Sequence, residues 1–188
     1  MSNLNYPEVS KYNLPKKNIL VIGCIDLRLT DNLVDFLNFD NLHNRFDYFT
    51  LAGASLTHSA PDGIAVVEGE KYSFDQGVLG KFQNFGHWKN TLYNHIDLAI
   101  LLHKIQDVYI VEHEDCGAYA KFLQNIEFTN KKDEVNCHKA FATALADHIH
   151  KNYEWKDDNG NNHSMNAHCF LIDLRGNVEL LYSTTMPQ

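Results

Sequence analysis

Lys16-Lys17-Asn18-Ile19-Leu20-Val21-Ile22-Gly23-Cys24-Ile25-Asp26-Leu27-Arg28 is the stretch on which the fold turns. Two lysines lead into an unbroken apolar, β-branched run, and the run ends in a cysteine followed by an acid and a base at alternate positions. A strand that is apolar on both faces belongs in the middle of a parallel sheet with helices on either side. The pattern predicts a first central strand over 18–24, with Cys24, Asp26 and Arg28 at its carboxyl end. Open α/β sheets gather their ligands at that end.

Working outward, Leu33, Phe36 and Leu37 recur at helical spacing within Thr30 to Asn44, and Phe46 to Leu51 reads as a second strand. Thr91 to Lys104 puts Leu92, Ile96, Ala99, Ile100 and His103 on one helical face, and Val108-Tyr109-Ile110-Val111 follows as a third strand. Gly117 to Gln124 and Glu134 to Tyr153 read as helices, the second striped by Val135, His138, Ala142, Leu145 and Ile149. Asp157 to Asn162 is a turn-rich loop. Cys169 to Asp173 and Val178 to Tyr182, joined through Leu174-Arg175-Gly176-Asn177, form a closing hairpin. Residues 55–90 carry Pro61-Asp62-Gly63, Gly69, Gly77, Gly80 and Gly86 without a sustained period, and read as an extended loop. The expected fold is α/β: a mostly parallel central sheet with flanking helices and an antiparallel edge hairpin, in a single domain over 1–188 with an excursion at about 55–90.

Composition narrows the function. Lys+Arg 16 against Asp+Glu 24 gives a net charge of −8, whose field repels polyanions, so the expected partner is a small molecule, not nucleic acid or an anionic membrane. Apolar runs such as Ile19 to Ile25 and Leu98 to Leu102 fall far short of the ~18 residues of a membrane span. The first fifteen residues are polar and lack the apolar centre of a secretory signal, so a cytoplasmic location is expected. There, 4 cysteines read as thiols or metal ligands, and 11 histidines point the same way.

A second motif, His113-Glu114-Asp115-Cys116-Gly117, leaves the third strand and enters a helix. One thiolate at the first exit, with an imidazole and a thiolate at the second, makes three ligands suited to Zn²⁺, leaving the fourth position for water. That arrangement lowers the pKa of water to about 7 and serves hydrolysis or hydration. Asp26 held by Arg28 keeps a depressed pKa and can accept a hydrogen bond from such a water. Without Arg28, Asp26 could take the fourth position itself and close the site. Other groupings are weaker. Cys137 with His138, and His163, His168 with Cys169, are read as core or surface residues. Ser55, His58 and Asp62 have triad residue types but lie in one loop without a nucleophile elbow. Asp75, His87 and His95 carry no pattern.

Together, Cys24-x-Asp26-x-Arg28 and His113-x-x-Cys116-Gly117 resemble the paired motifs of the β-class carbonic anhydrases. The similarity runs over roughly Asn18 to Leu123, with Leu51-Ala52-Gly53-Ala54 similar to the Ala-Gly segment between the motifs. The resemblance implies zinc ligands at Cys24, His113 and Cys116, a catalytic Asp26-Arg28 dyad gating the fourth position, and attack of zinc hydroxide on carbon dioxide, reversibly giving bicarbonate. It also implies a homodimer or higher homo-oligomer with clefts near the interface. This chain departs from the family in three places: Thr50-Leu51-Ala52-Gly53-Ala54 stands for Arg-Asn-Ala-Gly-Asn, Leu27 for a Ser, and Glu112 for a Gly. The departures keep two alternatives open: a hydrolase of carbonyl sulfide or carbon disulfide, and a catalytically silent zinc-bound or bicarbonate-sensing protein in which Asp26 closes the metal.

Overall fold

The computed structural model describes residues 4–67 and 69–185. In chain order the strands are β1 (Ile19–Gly23), β2 (Phe46–Thr50), β3 (Ile64–Val67), β4 (Glu70–Ser73), β5 (Asp107–His113), β6 (Glu154–Lys156), β7 (Asn162–Ser164), β8 (Asn166–Ile172) and β9 (Val178–Ser183). The α-helices are α1 (Thr30–Phe39), α2 (Leu56–Ser59), α3 (Gln76–Lys81), α4 (Gly86–His103), α5 (Gly117–Phe122) and α6 (Lys131–Asn152). A five-stranded sheet runs β2-β1-β5-β8-β9. Its pairings are parallel except for the antiparallel β8–β9 edge.

Every residue of β1 and of β5 is buried, as an apolar run sandwiched by helices requires. Alternate side chains serve opposite layers. Leu20, Ile22, Val108 and Ile110 pack with Leu92 and Ile96 of α4 and with Leu145 and Ile149 of α6. Ile19, Val21, Tyr109 and Val111 pack with Leu33, Phe36 and Leu37 of α1 and with Tyr12 from the N-terminal segment. The β1 and β5 exits therefore meet at one end of the sheet, with a helix layer on each side.

The expected mostly parallel sheet and closing hairpin are present. The excursion at 55–90 is not an extended loop. It folds into α2, the β3–β4 hairpin and α3, and α4 already begins at Gly86. Elements this short show no period of their own; they are held by a separate apolar cluster that includes Phe74, Leu79, Phe85, Phe122 and Phe141. Helix α1 ends at Phe39, short of Asn44, and both Asn41 and Asn44 take left-handed backbone. The turn-rich Asp157 to Asn162 segment joins β6 and β7 into a small antiparallel hairpin. His103 leaves the buried stripe of α4 and lies exposed, with Nδ1 2.6 Å from Asp47 Oδ2.

Candidate metal centre

Cys24 is the first residue beyond β1, and His113 is the last residue of β5. The register pairs Gly23 with Val111, so both side chains emerge together. Cys116 immediately precedes α5. Their three ligand atoms all lie within 4.8 Å of one another, and no second group of this kind occurs among the described residues. The Cys24 and Cys116 sulfurs are 3.9 Å apart, within hydrogen-bond reach and not joined as a disulfide.

His113 is oriented from behind. Its Nδ1–H donates to the Glu114 carbonyl at 2.8 Å, which leaves Nε2 as the lone-pair nitrogen. That Nε2 is buried and has no hydrogen-bond partner. A buried unpaired acceptor is costly, and a carbonyl-anchored imidazole with a free Nε2 is how metal-ligating histidines are held. The Gly53 N–H donates to Cys24 Sγ at 3.3 Å. Gly53 has φ +76°, and a Cβ there would stand 3.1 Å from the Cβ atoms of Ala118 and Leu56, so only glycine brings its amide to the sulfur. A hydrogen bond from Cys116, outweighing burial, together with the His113 and Gly53 contacts, holds the Cys24 thiol well below the usual thiol range. The same Cys24 charge, with burial, pushes Cys116 up. The pair thus shares one proton where a divalent cation could balance both sulfurs. Two sulfurs and an imidazole nitrogen are a donor set suited to zinc.

Arg28 grips Asp26 side-on. Nε lies 2.9 and 3.1 Å from the two carboxylate oxygens, Nη2 lies 2.6 Å from Oδ2, and the Arg28 backbone N–H donates to Oδ1 at 2.8 Å. This pairing holds the Asp26 carboxyl down to about 2. The carboxylate stands 3.7 Å from His113 Nε2. Arg28 also donates to Asp115, to Oδ2 at 2.8 Å and to the carbonyl at 3.0 Å. A cavity of about 300 Å³ opens in front of Cys24, Asp26 and His113, walled by Ile25, Ala52, Ala118 and Phe122, with Lys121 on its lining.

The structure thus brings Cys24, Asp26, Arg28, His113 and Cys116 together. It separates the weaker candidates. Cys137 and His138 are buried on α6, and Cys169 is buried in β8. His168 is buried against Ser183, and His163 stacks on Trp155. Ser55 bonds Glu112, whereas His58 Nδ1 meets Tyr93 Oη at 2.7 Å, so these two do not form a triad; the Asp62 side chain lies outside what the structure describes. Asp75 caps α3. His95 bonds the Thr91 carbonyl, and His87 is exposed.

Four residues behind the site form a group that the sequence motifs did not reveal. Glu112 is fully buried, and its Oε1 accepts from the Ser55 N–H at 3.0 Å and from the Ser55 hydroxyl at 2.5 Å. Its Oε2 lies 3.2 Å from Nδ1 of the equally buried His138. His138 Nε2 faces Glu134 Oε1 at 3.8 Å. The available signal was a carboxylate inside an otherwise apolar strand and a histidine inside an apolar helical stripe.

No family model matches the chain. It is 28% identical over 178 residues to an uncharacterized protein of Rickettsia bellii, covering 93% of this chain and 90% of that protein. It is 26% identical over 178 residues to an uncharacterized protein of Rickettsia conorii, covering 93% and 79%. Among the described residues no helix is long and apolar enough to cross a membrane. Among solved structures, the chain is similar to a carbonic anhydrase of Streptococcus mutans, with 14% identity, coverage of 89% and 83%, and a TM-score of 0.41. It is likewise similar to tetrameric β-carbonic anhydrases of Sordaria macrospora, with 11% identity, coverage of 91% and 84%, and a TM-score of 0.47.

Proposed function

We propose that this chain is a zinc-dependent lyase of the carbonic anhydrase kind, which hydrates carbon dioxide reversibly to bicarbonate. One observation carries the reading: the buried, unpartnered His113 Nε2 sits between two sulfurs with an Arg28-held carboxylate 3.7 Å away. Cys24, His113 and Cys116 are the residues to hold zinc, which when bound supplies Lewis acidity and lowers the pKa of a coordinated water. Asp26, ionised throughout the physiological range, accepts a hydrogen bond from a water in the cavity and orients it. Arg28 keeps that carboxylate turned to itself, so Asp26 serves as acceptor without becoming a metal ligand.

Ile25, Ala52, Ala118 and Phe122 give the cavity apolar walls suited to a small, linear, uncharged substrate. The walls fit carbonyl sulfide and carbon disulfide as well as carbon dioxide. The grip of Arg28 on Asp26 favours the catalytic form over a silent one. A homodimer belongs to the same reading, supported by Ile25 and Leu27, which stand 65% and 88% exposed beside the site, and so does a reducing, cytoplasmic setting, with which the four free cysteines agree. The test is a stopped-flow assay of zinc-loaded protein with each of the three substrates. Hydration of carbon dioxide supports the reading, and turnover of only the sulfur compounds moves the substrate. Inert, zinc-replete protein removes the enzyme.

A further inference from the structure

Resting on that reading of the site, we infer that His138 is a positioning residue for the Asp26-Arg28 dyad, acting as an imidazolium locked between Glu112 and Glu134. The two ring nitrogens face two different carboxylates: Nδ1 lies 3.2 Å from Glu112, within hydrogen-bond reach, and Nε2 lies 3.8 Å from Glu134, at ion-pair distance but without a hydrogen bond. A neutral imidazole carries one N–H and would set its remaining lone pair against a carboxylate; only the doubly protonated ring suits both. Both His138 and Glu112 are 0% exposed, and a carboxylate and an imidazolium in contact at 3.2 Å compensate each other's burial. Burial alone would lower the His138 pKa, but Glu112 and Glu134 together leave it raised. The Tyr119 ring, 4.0 Å from the His138 ring, closes the remaining side.

The connection to the site runs through Glu134. Its Oε1 accepts the Asp115 backbone N–H at 2.6 Å. Asp115 has φ +54°, a left-handed conformation that Asp tolerates, and its N–H is tied to Glu134 in it. From that conformation Asp115 offers both its carboxylate and its carbonyl to Arg28. The Arg28–Asp115 ion pair is largely solvent-exposed, with side chains 41% and 73% accessible, and an exposed pair contributes little order by itself. The pairing of buried His138 with the partly buried Glu134, 3.8 Å apart, supplies the order, and it reaches Asp26 through Asp115 and Arg28. Glu112 stands where the resemblance leads one to expect glycine, so this anchor belongs to this chain's own residues.

The experiment follows the Arg28 Nε–H by ¹⁵N–¹H NMR in metal-loaded protein, with hydration kinetics beside it. In the wild type that proton is bonded to Asp26 and is expected to exchange slowly. Glu134→Gln and His138→Gln are expected to speed its exchange about 10-fold or more and to lower kcat by about 10-fold, with metal stoichiometry retained. Lys132→Gln, exposed on the same helix, leaves both unchanged. His138→Gln leaves Glu112 buried without its partner and is expected to lower thermal stability, so Glu112→Gln/His138→Gln removes both groups together; it is expected to recover thermal stability while Arg28 exchange stays fast. Protection of Arg28 equal to wild type in the folded double variant and in Glu134→Gln overturns the inference. The exchange measurement stands whether or not the wild type hydrates carbon dioxide, so failure of the proposed activity is read separately.

Discussion

Two buried polar clusters lie on opposite faces of the same sheet, and they end differently. On the α1 side, Asp40 is 1% exposed and accepts from the Tyr12 and Tyr109 hydroxyls at 2.7 and 2.8 Å. Beside it, His168 bonds Ser183 through Nδ1 at 2.8 Å and meets Asp107 through Nε2 at 3.4 Å. None of these side-chain atoms is left unpartnered. On the other side, the Glu112–His138–Glu134 group continues through Asp115 and Arg28 to Asp26 beside His113; there His138 Nε2 faces Glu134 without a hydrogen bond, and His113 Nε2, at the end of the path, has no hydrogen-bond partner. A cluster that satisfies itself stiffens a core. One that leaves a lone pair facing two sulfurs and a cavity has chemistry left to do.

Breaking the open end has the largest expected effect. Cys24→Ala, Cys116→Ala and His113→Ala each leave two ligands, and zinc falls from one per chain to near none by elemental analysis, with loss of all turnover. Full zinc in both cysteine variants would falsify the ligand set. Arg28→Ala frees Asp26 to approach the cation; hydration is expected to fall about 100-fold or more while zinc stays bound, as kinetics and metal analysis on one sample would show. Wild-type turnover in that variant removes the dyad's role.

Breaking the closed cluster acts on stability alone. Asp40→Ala leaves two buried hydroxyls unpaired and is expected to cost about 2–3 kcal/mol in denaturant unfolding, against about 1 kcal/mol for Tyr109→Phe, with metal content and turnover per folded chain unchanged. A loss of zinc in either variant would dissolve the contrast between the two faces. The smallest effect is in pH. The folded pKa of His138 is raised above its unfolded value near 6.5, so its stabilisation is complete below that pH and is lost as pH rises through the folded pKa. The stability gap between wild-type and His138→Gln metal-free proteins should therefore narrow from mildly acidic to alkaline buffer. Taking the gap cancels the cysteine titrations common to both. A gap that widens with pH contradicts a charged His138.

Much of this was legible in the chain, for identifiable reasons. Ile19 to Gly23 announced itself because a strand buried on both faces has no polar interruption, and that fixed Cys24 at a strand exit. Glu112 and His138 were visible only as misfits, a charge in an apolar strand and an imidazole in an apolar stripe. They meet across 26 residues with no spacing rule to announce the pair. Ser55 joins them across 57 residues from a segment that read as loop, because α2 and the β3–β4 hairpin are too short to show a period. Asp115 carries no local signal for its bond to Glu134, which lies 19 residues on.

The central claim is that an ionised, Arg28-held Asp26 works beside a zinc site made by Cys24, His113 and Cys116. Stopped-flow carbon dioxide hydration by zinc-loaded wild-type protein, measured from mildly acidic to alkaline buffer, tests it most directly. The account predicts a sigmoidal rise of kcat with pH, set by a metal-bound water and not by Asp26, whose carboxyl titrates near 2, far below that range. A flat profile, or no hydration at any pH with one zinc per chain, contradicts it.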